Sequence, residues 1–492
     1  MKLLFDVLSF ISLCMPVLIT LCSLPTAAAF PSVVAWGDPD QGGNTTAVAE
    51  QLDSSQPAIQ TIFHTWQAFA ALRVDSSVVT WGNPERGGDS STVADELLAN
   101  VSYIASANAG AFAALKTDGS VVTWGDPRYG GDSSEVETEL LSDVIEINST
   151  RTAFAALKAD GSVVTWGNPG GGGNSSTVAE QLSSGVVNIF SATGAFAALK
   201  NDGSVVTWGG SDLGGDSSSI QPLLTNVVFI EGNERAFAAL KEDGSVVSWG
   251  DPNSGGDSSA VAADLTSDVL KLFSNSYAFA ALKRGGKVIS WGDSSFSNMG
   301  DAASELQQGV QTIVSNEHAF AAIKGCGRLV VWGAYHRGGD STPVAEYLEY
   351  GVYKVVPSDF GYVAIRKGGQ LLSWGQFLDS AYQGQSLPHS FVTYGARDAF
   401  ASAFDYSAIL ENGTVITWPA GSRYGGNSSA VADQLQFGVT RIYSNFHAFA
   451  AVKEPDLAYM GEPCHVQPMS LSSDRYFSDP WDRNLGCRYD VN

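Results

Sequence analysis

Along most of the chain, short runs of β-branched and aromatic residues recur at a fixed interval, punctuated by Gly, Asp, Asn and Ser. Residues 144–182 show the unit cleanly. Val144-x-x-Ile147 opens a strand, and Ala153-Phe154-Ala155-Ala156-Leu157-Lys158 follows as a second. Asp160-Gly161 then makes a two-residue turn that suits the right-handed twist of a hairpin. Ser162-Val163-Val164-Thr165-Trp166 returns as a third strand, rich in the residue types that fit a half-buried pleated surface. Gly167-Asn168-Pro169 and the glycines to Gly173 break the chain. Asn174-Ser175-Ser176 then caps a short helix predicted over 177–182, where Val178 and Leu182 stand four apart. Each unit reads as three strands and one or two helical turns.

The unit fills the chain. Trp-Gly recurs at Trp36, Trp81, Trp124, Trp166, Trp208, Trp249, Trp291, Trp332 and Trp374, with Trp418-Pro419 as a variant, at spacings of 41 to 45 residues. Twelve residues before each Trp after the first stands an aromatic, from Phe69 and Phe112 through to Tyr362 and Tyr406. Such a period means repeat architecture. The order of the half-units is informative. Ser32-Val33-Val34-Ala35-Trp36 is the second half of a hairpin with no first half, and Ala448-Phe449-Ala450-Ala451-Val452-Lys453 is a first half with no second. Joined, they complete one sheet, which is how a propeller ring closes and hides its strand edges. The expected fold is therefore all-β: a propeller-like ring of about ten units of ~42 residues over 30–453. A seven-bladed ring with extra repeats is the alternative.

Two terminal segments differ. Residues 1–29 carry one Lys, a long apolar run and Ala27-Ala28-Ala29, the layout of a secretory signal peptide. Cleavage and a secreted protein are expected, with a retained membrane anchor as the alternative. Residues 454–492 form a tail unlike the repeats, expected to cap the ring. Its Cys464 and Cys487 are expected to pair in an oxidising compartment, leaving Cys326 as a buried strand residue. Sequons stand at Asn44, Asn100, Asn148, Asn174, Asn412 and Asn427.

Composition narrows the partners. With 51 acidic and 27 basic side chains the net charge is −24, which disfavours nucleic acid. Charged residues are only 16% of the chain, against roughly 25% usually, while 12 Trp, 16 Tyr and 24 Phe demand a packed core.

The pattern V-x-x-I, then A-L-K-x-D-G, then V-x-T-W-G, seen well at Lys116-Thr117-Asp118-Gly119-Ser120-Val121-Val122-Thr123-Trp124-Gly125, resembles the repeats of the regulator of chromosome condensation family. The resemblance spans about 31–453. It implies a β-propeller, usually seven-bladed, whose relatives act as guanine-nucleotide exchange factors, as modules of ubiquitin ligases or as extracellular protein inhibitors. This chain departs from the pattern. The family's Gly-Gln-Leu-Gly loop reads Gly131-Asp132-Ser133-Ser134, and its usual His before the A-L strand is mostly Ala, as at Ala111 and Ala153. Its period is closer to that of secreted inhibitory propellers.

Candidate sites are of two kinds. Asp89, Asp132, Asp216, Asp257 and Asp340 recur after Gly-Gly, replaced by Asn44, Asn174 and Asn427 elsewhere. They are either a carboxylate rim for Ca²⁺ or a basic partner, or caps for the following helix. The divergent stretch 376–405 offers Tyr382, His389, Phe391 and Tyr394, since binding function gathers on loops that depart from a scaffold. The six His show no zinc spacing, and there is no G-x-S-x-G elbow or P-loop. The sequence therefore points to a non-enzymatic, secreted or cell-surface repeat protein without a cofactor, binding a protein or glycan, with a basic surface as one option, through its rim loops. The alternatives are an intracellular exchange factor or ligase adaptor, and an enzyme with a site in the central channel.

Overall fold

A computed structural model describes residues 32–375, 395–419, 422 and 424–454. Its local unit follows from three sequence features. In 144–167 the strands Val144–Ser149, Ala153–Lys158 and Val163–Gly167 pair antiparallel, and Phe154 lies directly opposite Trp166. The two rings stack with centroids 5.2 Å apart, an arrangement worth about 1 kcal/mol beyond the area it buries. The Asp160 carboxylate closes the hairpin by accepting from the Ser162 backbone at 2.9 Å and its hydroxyl at 2.7 Å. The first strand carries a bulge between Val144 and Glu146, and the other sheets repeat it.

The connections are short. The short helix expected over 177–182 is present as a 3-10 turn, Ser176–Val178, and the Leu182 N–H donates back to the Val178 carbonyl at 3.1 Å. In the neighbouring repeats the equivalent segments are 3-10 throughout, Ser91–Leu97 and Ser134–Leu140, kinked at Val93 and Val136. With only six or seven residues between a fixed loop and the next strand, the i to i+3 form predominates, and the equivalent segment Ala345–Leu348 makes one α-helical turn. The Gly-Gly pair has a packing role. Gly87 sits at φ +98°, and a Cβ there would lie 2.5 Å from the Phe112 ring, while its carbonyl accepts the Trp124 indole N–H at 3.1 Å. In the repeat that lacks Gly-Gly, around 294–306, Trp332 turns to the Ser290 hydroxyl instead, at 3.3 Å.

There are ten three-stranded sheets. Nine are continuous in sequence, at 59–82, 101–125, 144–167, 186–209, 227–250, 269–292, 310–333, 352–375 and 396–418, called here sheets one to nine. Sheet ten joins the chain ends: Val33–Gly37 pairs antiparallel with Ala448–Lys453, which pairs with Val439–Ser444. Each sheet packs on the next through its own apolar cluster. Ile409 and Val415 of sheet nine meet Trp36 and Phe449 of sheet ten. On the other side, Val33 and Ala450 of sheet ten meet Ile59, Phe69 and Trp81 of sheet one. Ten sheets joined by ten such interfaces form a closed cycle, so the ring takes all ten units and no group of three stands apart.

One expectation is corrected. Cys326 is not a buried strand residue; it stands exposed in the turn Gly325–Gly327, at φ +61°, in the slot that Asp118 or Asp160 fills elsewhere. The side chain is engaged rather than free. The segment 1–29, the tail from 455, the cysteines Cys464 and Cys487, and the residues Tyr382, His389, Phe391 and Tyr394 lie outside the described residues. No described helix is long and apolar enough to cross a membrane.

Candidate functional site

The loop between the first and second strand is built on one device in seven of the ten sheets. Asn316 accepts from the backbone N–H groups of His318 at 2.8 Å and Ala319 at 2.7 Å, and its amide donates to the Arg337 carbonyl at 2.9 Å. Asn233, Asn275 and Asn445 make equivalent bonds, and Thr65, Thr150 and Ser402 substitute a hydroxyl. Such side-chain-to-backbone bonds fix a turn locally. What they fix is a frame in which the next two residues are free to differ from sheet to sheet.

These tips meet on the ring axis. Backbone bonds run from one tip to the next: Ala109 N to Arg151 O at 3.0 Å, Arg151 N to Thr193 O at 3.0 Å, Ser276 N to Glu317 O at 3.0 Å and Asp359 N to Ala403 O at 3.2 Å. Side chains also reach past a neighbouring sheet. Arg151 of sheet three lies over the Trp66 ring of sheet one, 4.8 Å from its centroid, and pairs with Glu234 of sheet five at 3.2 Å. Contacts that skip a sheet are possible only near the axis. An open cavity of about 420 Å³ lies here, lined by Thr193, Glu234, Ser276, Glu317 and Asp359, the first variable residue of sheets four to eight.

The second variable position supplies an aromatic arc. Tyr277, His318, Phe360, Phe404 and His447 occupy it in sheets six to ten. Phe296 bridges Tyr277 and His318, with centroids 5.0 and 5.6 Å away. His318 stacks on Phe360 at 5.7 Å, Phe360 on Phe404 at 5.5 Å, and Phe404 meets Phe446 edge-on at 5.2 Å. Trp66 continues the arc at 6.0 Å from Phe446.

Electrostatics at this mouth are crowded. Burial pushes the Asp359 carboxyl up to about 8, and the neighbouring Glu317 adds to the rise. Glu317 is raised too, first by its surroundings and then by Glu234, while Arg151 and Arg337 oppose the shift; being open to solvent, it feels this less than Asp359 does. His318 is held neutral by geometry. Its Nδ1–H donates to the Asp359 carbonyl at 2.9 Å, so Nε2 is the acceptor for Arg337 Nη1 at 2.9 Å. Burial, then the Arg337 charge, lower its pKa. The Arg337 guanidinium also lies over Phe360, 4.7 Å from the centroid. The mouth thus already seats two guanidinium groups of its own against aromatic faces, and presents carboxyls beside them.

The recurring carboxylates singled out in the sequence lie elsewhere. Asp89, Asp132, Asp216, Asp257 and Asp340 each accept from the backbone N–H two residues on, at 2.8 to 2.9 Å. Asn44, Asn174 and Asn427 do the same at 2.9 to 3.0 Å. That shared bond explains why Asp and Asn interchange, and it holds the Asp132, Asp216 and Asp257 carboxyls below their usual range. Among the described residues no three His, Cys, Asp or Glu side chains gather to hold a metal ion. Of the sequons, Asn44, Asn100, Asn174, Asn412 and Asn427 are exposed, and half-buried Asn148 donates to Glu146 at 2.9 Å.

The tips were missed because they are short and polar-looking in any single repeat. Their signal was present in the comparison of repeats with one another. Within the frame Asn/Thr-x-x-Ala-Phe-Ala-Ala, the two x positions read Arg-Thr, Glu-Arg, Ser-Tyr, Glu-His and Phe-His at 151, 234, 276, 317 and 446, while their flanks scarcely change.

No family model matches the chain, and no curated protein matches it. Among solved structures, yeast RCC1 (Prp20) bound to Kap60 is similar at 14% identity and a TM-score of 0.37, covering 87% of this chain and 90% of that one. Human WBSCR16 is similar at 12% identity and 0.35, over 86% of this chain and 98% of its own. The CRINKLY WD40 ectodomain of the Arabidopsis thaliana receptor kinase ACR4 is similar at 16% and 0.31, over 55% and 93%. Likeness this loose carries no argument, and the architecture rests on the strand pairing and packing given above. On those grounds the protein is a closed ring of ten propeller-like sheets whose repeats resemble those of the regulator of chromosome condensation family.

Proposed function

We propose that this protein is a non-enzymatic binding ring that engages a protein partner through its tip mouth, and that the partner presents a basic segment there. One observation carries the reading: two adjacent positions vary from sheet to sheet on a frame that recurs in seven of the ten sheets, and they put an aromatic arc beside Glu234, Glu317 and Asp359. A folding role alone would not require variation at the two positions that face the axis. Guanidinium and ammonium groups are attracted both to aromatic faces and to carboxylates. In keeping with the signal-like segment 1–29 and the exposed sequons, the ring works in a secretory or extracellular setting.

A capped tri-arginine peptide tests the binding reading, with a capped tri-glutamate peptide as control and Trp fluorescence or calorimetry as readout. The expected result is binding by tri-arginine alone, weakened at least fivefold in a Glu317→Gln, Asp359→Asn double variant and unchanged in Asp132→Asn, Asp257→Asn. Equal weakening in both double variants contradicts the assignment. Intact mass with and without glycosidase tests the setting; an unglycosylated, full-length chain from its native source contradicts it.

A further inference from the structure

The opposite end of the ring has a different character. There the first strands begin and the second strands end, as the pairing of Val439 with Lys453 shows. In each sheet the second residue of the first strand is the bulge residue, left out of the ladder. In sheets three to six these residues are Ile145, Val187, Val228 and Leu270, exposed by 58, 53, 52 and 50%. Four consecutive sheets thus present an aliphatic arc to solvent. In sheets one, two, seven, nine and ten the same slot holds Gln60, Ser102, Gln311, Arg397 and Thr440. The structure therefore tolerates a polar residue at this slot, and its aliphatic character on one side of the ring is not a demand of the bulge. Contiguous exposed apolar surface of this kind marks a covered site.

Two further facts say what covers it. The described chain leaves the ring at Glu454, at this same end, with 455–492 still to follow. Cys326 lies at this end as well, in the turn between the second and third strands of sheet seven, next to the sheet that carries Leu270. Its side chain is engaged rather than free, and every other cysteine of the chain, Cys14, Cys22, Cys464 and Cys487, falls outside the described residues. At about 3.3 Å per extended residue, Cys464 reaches roughly 33 Å from Glu454 and Cys487 about three times as far.

We propose that the segment 455–492 crosses this end of the ring, lays its apolar residues, among them Leu457, Tyr459, Phe477 and Trp481, over the Ile145–Val187–Val228–Leu270 arc, and is tethered by a disulfide from Cys326 to Cys464 or Cys487. This takes the place of the Cys464–Cys487 bridge expected from sequence. Forming the bond joins two sulfurs and removes two protons and two electrons; a small-molecule disulfide such as oxidised glutathione accepts them and leaves as two thiols. The inference does not depend on the tip mouth, though it shares the oxidising setting.

Peptide mapping of the full chain without reduction is the test. The expected product is a cross-linked peptide containing Cys326 and one tail cysteine, and a Cys464–Cys487 peptide with Cys326 unmodified overturns the tether. The docking is tested separately in a Val187→Lys, Val228→Lys variant, at positions already open to solvent. Limited proteolysis of the tail is expected to run at least fivefold faster than in the wild type, with the ring intact. An unchanged cleavage rate overturns the docking while leaving the binding reading of the tip mouth untouched.

Discussion

At the scale of single residues, the repeat is a set of contacts that tolerate little change. Gly87 is held at a positive φ with the Phe112 ring against its α-carbon, so Gly87→Ala is expected to cost about 2–4 kcal/mol through backbone strain and overpacking, measured as a fall in urea midpoint at constant m. The Trp-Gly and Gly-Gly tokens were legible in the sequence because one steric demand is repeated in most units. Asp359 was not legible, since its character comes from neighbours on other sheets. Its carboxyl is raised to about 8, so between about pH 4 and 8 the folded protein holds a proton that the unfolded chain releases, and stability falls as pH rises through that window. Asp359→Asn is expected to flatten this fall in a series of thermal melts from pH 5 to 9. A bound cation favours the carboxylate, so peptide affinity is expected to rise over pH 6 to 8.5 in the wild type and to stay level in the variant.

At the scale of elements, the strands and the Asp-Gly turns follow directly from the residues, because alternation and turn chemistry act within a few positions. The short helices were legible too: Val178 and Leu182 have helical spacing and are joined by a backbone bond at 3.1 Å, while the space between a fixed glycine loop and the next strand makes most of the turn 3-10. The tip hairpin is the element on which the proposed binding depends. Asn316→Ala removes the acceptor of the His318 and Ala319 N–H groups and the donor to Arg337. With those partners left unpaired, the loss is expected to be about 1–3 kcal/mol. Asn316→Ser is expected to recover part of it, since Ser402 fills the equivalent position in sheet nine. A His318 side-chain NMR signal that loses its single-tautomer signature in the Ala variant would show that the frame, not packing alone, orders the mouth.

At the scale of the whole molecule, closure turns ten weakly committed units into one body. The half-units at the two ends announced it in the sequence, because neither makes sense alone; the number of sheets in the ring became clear only from which clusters join which sheets. Val34 lies buried on the closing strand, opposite Ala451. Val34→Asp is expected to unseat that strand, expose the edge of Ala448–Lys453 and lower the melting temperature by several degrees or more, with faster amide exchange concentrated in sheets nine, ten and one. The central claim is that the ring binds where its tips converge. Hydrogen–deuterium exchange with and without saturating tri-arginine peptide locates the contact directly. The account predicts protection at 276–277, 317–318, 359–360, 403–404 and 446–447, with the loops at Asp89, Asp132 and Asp257 unchanged. Protection confined to those outer loops, with the tips unaltered, would contradict it.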